Sequence, residues 1–213
     1  MNIFHHYCMP GFTNCYTIGK EPEDPDGKNK MEALIIDPGV ITSDIINFIE
    51  NEHYMLLGVL ITHNHPNHVN GIRTLKRIYD VDIYASNQSI LDYSTNVVKD
   101  GDDLNIGSFA INVISTPGHS IDSVVYKISN ILFTGDVLSA GIMGKTDSSY
   151  GAMRQISMVQ NKLFTLHGDF VIFPGHGPPS SLEVERRFNV EPGLYQANRN
   201  ITRRTEFNLD MMD

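Results

Sequence analysis

The chain has little cysteine, no long apolar run and a deficit of positive charge, and each shortage excludes a class of protein. Its two cysteines, Cys8 and Cys15, form neither a Cys-x-x-Cys pair nor the spaced framework of a disulfide-stapled secreted domain. Cys15 lies in a strand-like run, which predicts a buried free thiol rather than a ligand or a nucleophile. The longest apolar run, over 55–61, falls far short of the ~20 residues that a membrane-spanning helix needs. Residues 1–10 have neither the basic start nor the apolar core of a secretory leader, so the expected location is a reducing cytoplasm. Lysine and arginine number 16 against 25 acidic residues, for a net charge of −9. Phosphate binding needs a basic face, so neither a nucleic acid nor an anionic membrane is an expected partner.

What is present fits one globular domain. At 213 residues, 41% hydrophobic and 19% charged, the chain is long enough to bury a sizeable core. Strands are expected over 2–8, 13–19, 31–37, 56–62 and 82–85. A charged hairpin loop over 21–30 is expected between the second and third. Thr42 or Ser43 can cap a helix whose apolar face is Ile45, Ile46, Phe48 and Ile49. Further helices are expected over 71–79 and 87–94. Strands follow over 104–106, 109–115, 122–128 and 130–134, then a helix over 152–166 with Ile156, Val159, Leu163 and Leu166 inward, then a last strand over 170–173. Strands followed by helices, twice over, suggest two sheets packed face to face with helices outside. Periodicity alone establishes only mixed α and β. The domain is placed at 1–190. The tail over 191–213 reads as a frayed helix, disorder or a subunit-contact arm, and the oligomeric state is left open.

The chain is organised around residues 62–68, Thr-His-Asn-His-Pro-Asn-His. His63, His65 and His68 follow an apolar β-branched run and precede a helix-like segment. A strand that stops in a histidine-rich turn carries its imidazoles on a rigid stalk, and neutral imidazole is the commonest side-chain ligand for zinc and related metals. A polar surface loop rich in histidine is the bland alternative. Three further runs count against it: Thr116-Pro117-Gly118-His119, Thr134-Gly135-Asp136 and Pro174-Gly175-His176 each end a strand-like stretch on one His or Asp beside glycine, which permits close backbone approach. Five histidines and one aspartate at strand ends make a two-metal ligand set. His5, His6, His53 and His167 lie outside these motifs and are assigned surface or core roles.

In this order, His-x-His-x-Asn-His, Pro-Gly-His, Gly-Asp and Pro-Gly-His, the sequence resembles the metallo-β-lactamase superfamily. The resemblance takes in Thr13-Asn14-Cys15-Tyr16, Ile36-Asp37-Pro38-Gly39 and Asp100-Gly101-Asp102. Gly135-Asp136-Val137-Leu138 with Gly144-Lys145-Thr146-Asp147, and Pro174 to Pro178 through Leu182 and Glu185-Arg186, is similar to the short glyoxalase II-like (hydroxyacylglutathione hydrolase-like) hydrolases. It implies an α/β (α+β) fold, the four-layer αββα metallo-β-lactamase sandwich. It also implies that His63, His65 and His119 bind one metal, that His68 and His176 bind a second, and that Asp136 bridges them. Zinc at two sites is the implied cofactor, with iron or manganese as alternatives.

One position departs from the family. Where the family has Asp, this chain has Asn67. The family residue ligates the second metal and accepts a hydrogen bond from the attacking hydroxide, so Asn67 keeps the shape and loses the charge. The second site is therefore expected to be weak. Lys145 stands where the family has a basic residue and is expected to meet a substrate carboxylate, or else to pair with Asp147 or Glu183. The resemblance thus implies a metal-dependent hydrolase that attacks small thioesters, such as acyl-glutathione, with a metal-bound hydroxide. The long family forms carry a helical glutathione-binding domain that this chain is too short to include. Two other readings stay open. A persulfide dioxygenase would use one iron on His63, His119 and Asp136, with no ligand at 67. A degenerate binding or sensor protein would fit Asn67 and Asn70.

Overall fold

The computed structural model of the chain describes residues 1–9, 11–20 and 31–189. The expected loop over 21–30 and the tail over 191–213 lie outside the described residues. The chain opens on three antiparallel strands, β1 (Asn2–Cys8), β2 (Thr13–Lys20) and β3 (Met31–Ile36). Helix α1 (Ser43–Asn51) then crosses to β4 (Tyr54–Leu60), parallel to β3. Two short helices, α2 (Pro66–Val69) and α3 (Ile72–Ile78), lead to β5 (Asp82–Ala85), parallel to β4. A small hairpin of β6 (Ser89–Ile90) and β7 (Tyr93–Ser94) precedes β8 (Asn96–Val97), which completes a six-stranded sheet ordered β1-β2-β3-β4-β5-β8.

The second half contributes β9 (Asp103–Ile106), β10 (Phe109–Ser115), β11 (Val124–Ile128) and β12 (Ile131–Gly135) as an antiparallel run. Helix α4 (Ser149–Met158) continues as a π-helical stretch, Val159–Leu163, and returns the chain to β13 (Val171–Pro174), parallel to β12. Strand β14 (Ser180–Ser181) and helix α5 (Leu182–Phe188) follow. This sheet is also six-stranded, ordered β14-β13-β12-β11-β10-β9.

Alternation along the strands assigns each side chain to a layer. Tyr16, Ile18, Leu34, Ile36 and Leu60 from the first sheet meet Phe109, Ile111, Val113, Val124, Tyr126 and Phe133 from the second, forming the core between the sheets. Their neighbours face outward. Ile35, Val59 and Ile61 pack under Ile45 and Ile49 of α1 and under Ile72 and Leu75 of α3. Val125, Leu132 and Ile172 pack under Val159, Leu163 and Leu182. Three apolar cores between four layers are the αββα sandwich. Each fully buried Leu, Ile or Val contributes about 1.5–3 kcal/mol of transfer free energy, so the interleaved strands dominate the stability. The expected buried thiol is observed: Cys15 is free and buried.

Polar ties join the layers at one edge. Tyr126 Oη lies 3.0 Å from the carbonyl oxygens of both Ile61 and Tyr84. Tyr16 Oη donates to Pro174 O at 2.7 Å. Val124 N donates to Thr62 O at 2.9 Å, and Asn14 N to Gly175 O at 2.8 Å. The end of β4 is thereby drawn to β11, and the end of β13 to β2.

Two expectations need correction. The segment 87–94 is not a helix but the β6–β7 hairpin, with Leu91 and Asp92 at its tip at φ 48 and 70. A two-residue turn with both φ positive suits the strand twist, and Gly or Asn usually signals it. Here neither does. The helix expected over 152–166 starts earlier, because Ser148 caps it by accepting from Gly151 N at 3.1 Å. It widens to π geometry after Met158.

Candidate metal centre

The centre is assembled where those strand ends meet. Asp37, directly after β3, is buried with φ 49, a left-handed conformation unusual for a side-chain-bearing residue. Its carboxylate accepts from Thr62 N at 2.8 Å and from Thr62 Oγ1 at 2.6 Å. These bonds fix the point where β4 turns into the histidine loop. Asp122 accepts from Asn64 N at 2.8 Å and holds the far side of that loop. Pro66 opens α2, placing Asn67 and His68 on a single helical turn. Gly135, at φ 51, and Gly175 allow the remaining strands to close in. A Cβ on Gly175 would stand 2.4 Å from Asp136 Oδ1 and 2.6 Å from His68 Cε1.

The imidazoles form two clusters around Asp136. In the first, His119 Nε2 lies 3.2 Å from His63 Nε2 and 3.1 Å from His65 Nδ1. In the second, Asp136 Oδ1 lies 3.4 Å from His68 Nε2, and Asp136 Oδ2 lies 3.4 Å from His176 Nε2. Asp136 Oδ2 also approaches His119 Nε2 at 3.6 Å and His63 Nε2 at 3.9 Å. One carboxylate therefore touches both groups. Within each trio, His63–His65–His119 and His68–Asp136–His176, the potential ligand atoms lie within 4.8 Å of one another.

In four of the five histidines the other ring nitrogen faces oxygen. His119 Nδ1 donates to Lys145 O at 2.6 Å and His176 Nδ1 to Phe12 O at 2.9 Å. His68 Nδ1 lies 3.0 Å from Asp37 Oδ2, and His63 Nδ1 lies 3.1 Å from the Thr62 hydroxyl. A carbonyl oxygen can only accept, so the proton of a neutral His119 or His176 sits on Nδ1 and its Nε2 lone pair points inward. Such outer hydrogen bonds fix the tautomer and orientation of metal-binding histidines.

Electrostatics favour a cation here. Burial, then the charge of nearby His68, pushes the His63 pKa down to about 2. Burial also lowers that of His65. Burial would lower His68 too, but the carboxylates of Asp136 and Asp37 raise it to about 10. The Asp136 contact raises His176 against its own burial. Burial would raise Asp136, yet His176 and His68 hold its carboxyl well below the usual range.

The donor set fits a divalent metal on two counts. His68 Nε2 and Asp136 Oδ1 are buried without a hydrogen-bond partner among the described residues, a state that normally has a specific cause. The 3.4 Å approach between them satisfies neither. Inward lone pairs at 3.1–3.2 Å repel one another unless a proton or a cation lies between them. Neutral imidazole and carboxylate are the ligands that zinc and related ions take.

All six expected ligand residues thus converge on one site. Asn67 is beside them: its Nδ2 donates to Thr13 Oγ1 at 3.0 Å and lies 3.2 Å from His176 Nε2. Lys145 is exposed and lines a cleft of about 440 Å³ together with His119, Asp136 and His176. It is paired with neither Asp147 nor Glu183 among the described residues. The outlying histidines stay out of the centre. His5 meets Asn14 Oδ1 at 2.7 Å, and His6 meets Thr17 Oγ1 at 2.9 Å. Sequence reasoning gave no role to Asp37, which orients His68. The available signal was the one that found Asp136, a strand closing on an aspartate near glycine.

A four-layer sandwich carrying a histidine- and aspartate-rich centre at the edge of its sheets defines the metallo-hydrolase class of αββα proteins. The chain belongs to the metallo-beta-lactamase superfamily, whose family model matches residues 9–176. It is 31% identical to a hydroxyacylglutathione hydrolase of Hahella chejuensis over 172 residues, covering 79% of this chain and 63% of that enzyme. It therefore spans under two thirds of that relative. A probable metallo-hydrolase of Bacillus subtilis, YqgX, is 28% identical over 181 residues, covering 74% of this chain and 86% of the other. Among solved structures, ETHE1 from Myxococcus xanthus is similar at a TM-score of 0.77 and 26% identity, covering 89% of this chain and 83% of that one. No helix among the described residues is long and apolar enough to cross a membrane.

Proposed function

We propose that the protein is a metal-dependent hydrolase of small thioesters of the acyl-glutathione type. The observation that carries this reading is the approach of one half-buried carboxylate, Asp136, to four imidazoles, His63, His68, His119 and His176, within 3.9 Å. His63, His65 and His119 would hold one cation, and His68, Asp136 and His176 a second. Zinc, manganese or iron bound there would polarise a carbonyl and bring the pKa of water from ~15.7 toward ~7.

The protein groups supply orientation. Asp37, Thr62, and the carbonyls of Lys145 and Phe12 keep the ligand nitrogens turned inward. Lys145, at the mouth of the cleft, offers an ammonium to a carboxylate on the thiol half of the substrate. Asn67 gives the second cluster an amide where a carboxylate would add charge, and this favours a substrate that reacts easily. A thiol of pKa ~8.5 departs as thiolate without a proton donor, whereas an amine does not. A thioester therefore suits this centre better than an amide. The hydroxyacylglutathione hydrolase named above supports the same class of substrate.

Metal analysis of protein purified without chelator, alongside hydrolysis of a thioester panel with zinc, manganese and iron, tests the proposal. No turnover of any thioester with any of these metals would overturn it. The tie of Asn67 to Thr13 and His176 as a neutral donor favours one second reading, a single-iron oxygenase on His63, His119 and Asp136. Oxygen uptake on glutathione persulfide by iron-loaded protein would select it.

A further inference from the structure

We infer that the cleft beside the metal centre is an acyl-chain site whose apolar wall, centred on Ile142, selects alkyl acyl groups by length. This rests on the thioesterase reading above. The cleft holds about 440 Å³ and is lined by His119, Asp136 and His176 of the centre, by Ile142 and Met143, and by Ser139, Gly144 and Lys145. That volume lies within the range of small-molecule sites. Ile142 is 65% exposed. Isolated exposed apolar residues are ordinary and need no explanation. The construction beneath this one is not ordinary.

Ser139 and Ile142 exchange two backbone hydrogen bonds of 2.9 Å, closing a tight turn over Ala140 and Gly141. Gly141 adopts φ 80, and its N–H lies 3.2 Å from each carboxylate oxygen of Glu185. Glu185 is fully buried on α5 and also accepts from Ser180 Oγ and Asn189 Nδ2. At its other end, the turn is tied to the centre itself, because Ser139 Oγ donates to His176 O at 2.9 Å. The turn is thus braced between a buried carboxylate and the backbone of a candidate ligand. It holds Ile142 at a fixed distance from where a substrate carbonyl would react. With the Ser139 hydroxyl already engaged, this wall presents carbon surface rather than donors for a polar acyl group.

Burying one methylene strengthens binding by roughly fourfold, and a half-open cleft realises only part of that. Calorimetric titration of metal-loaded protein with S-methyl-, S-butyl- and S-octylglutathione reads binding without turnover. Acetyl-, butyryl- and octanoyl-glutathione thioesters read kcat/KM. The octyl compound is expected to bind at least about tenfold more tightly than the methyl one. Ile142→Ser should cut that ratio to about threefold or less, and Ile142→Leu should preserve it. A flat length series in the unmodified protein, or a ratio that Ile142→Ser leaves unchanged, would overturn the inference. A steep binding series with no thioester hydrolysed would overturn the thioesterase reading while upholding the acyl-chain site.

Discussion

Restoring a carboxylate at position 67 probes the centre most directly. With its Nδ1 donating to Phe12 O at 2.9 Å, His176 turns a bare Nε2 toward Asn67 Nδ2, 3.2 Å away. The amide hydrogen therefore occupies the lone pair that a cation in the second cluster would need. Asn67→Asp removes that competition, a hydrogen bond of about 1 kcal/mol. It also adds a charge. Opposite unit charges 4 Å apart attract by about 4 kcal/mol at an effective dielectric of about 20. Desolvation and repulsion from Asp136 offset much of this. A net gain of about 1.4–2.7 kcal/mol corresponds to roughly 10–100-fold in second-site affinity. Competition titration against a chromogenic chelator, with zinc, manganese and iron in turn, measures both sites in each variant. Thioester turnover at equal free metal should rise about tenfold, which requires only ~1.4 kcal/mol off the barrier. Thr13 can keep its contact by reversing its hydroxyl to donate to the new carboxylate, so the fold should tolerate the change. Unchanged loading with lower turnover would refute the reasoning. It would mean that the amide is suited to this protein's own reaction, whether a dedicated hydrolysis or a single-iron oxygenation.

Three further changes test the rest of the centre. Asp136→Ala should reduce metal binding at both clusters, and more completely than His68→Ala, because the two oxygens of Asp136 approach histidines of both; an Asp136→Ala protein that elemental analysis finds fully loaded would remove its bridging role. Asp37→Asn leaves an amide among the Thr62 and His68 donors that a carboxylate accepts. It should cost about 1–3 kcal/mol and lower the Tm by about 2–12 °C. It should also weaken the His68 cluster by ~10–100-fold, and weaken it more than the His63, His65 and His119 cluster, which Asp37 supports through Thr62, so equal weakening of the two clusters in a chelator titration would count against Asp37 as the residue that orients His68. Chelation should destabilise the native protein: metal held at about 1,000 times its Kd contributes about 4.1 kcal/mol, so its removal should lower the Tm by about 8–16 °C. A melting curve indifferent to chelator would mean that no cation is held by the folded state.

The layers were legible because period-two alternation is a local signal. Leu34, Ile35 and Ile36 are three apolar residues in a row, and the structure divides them between two cores. Runs of that kind mark strands covered on both faces, so four layers follow once two such sheets are packed. The 87–94 segment failed because its apolar spacing, Ile90, Leu91 and Tyr93, carries no period long enough to decide between helix and hairpin. Its tip uses Leu91 and Asp92 in left-handed backbone. That conformation is imposed by the paired strands rather than announced by the residues at the turn.

The candidate ligands were legible for a different reason. Each sits at the end of a strand-like run, and strand ends that share a sheet edge must share a neighbourhood. Hence His119, Asp136 and His176, far apart in sequence, could be grouped before any geometry was known. The groups that aim them could not be. Two of the four aiming oxygens are backbone carbonyls, those of Phe12 and Lys145, which carry no residue signature. Asp37 does carry one, but it aims His68 only because β3 and β4 are parallel and adjacent, which brings the end of one strand beside the turn that leaves the other. Asn67 shows the same division. The sequence marks it as an uncharged residue within a motif that elsewhere has Asp. Its contacts show what the amide does instead, holding Thr13 and the inward lone pair of His176 with the hydrogens that a carboxylate lacks. On the two-metal reading, loss of charge and gain of a donor act in the same direction: both should weaken cation binding at the second cluster and spare His63, His65 and His119. The centre is therefore asymmetric by construction, and the first cluster should fill at lower metal concentration than the second.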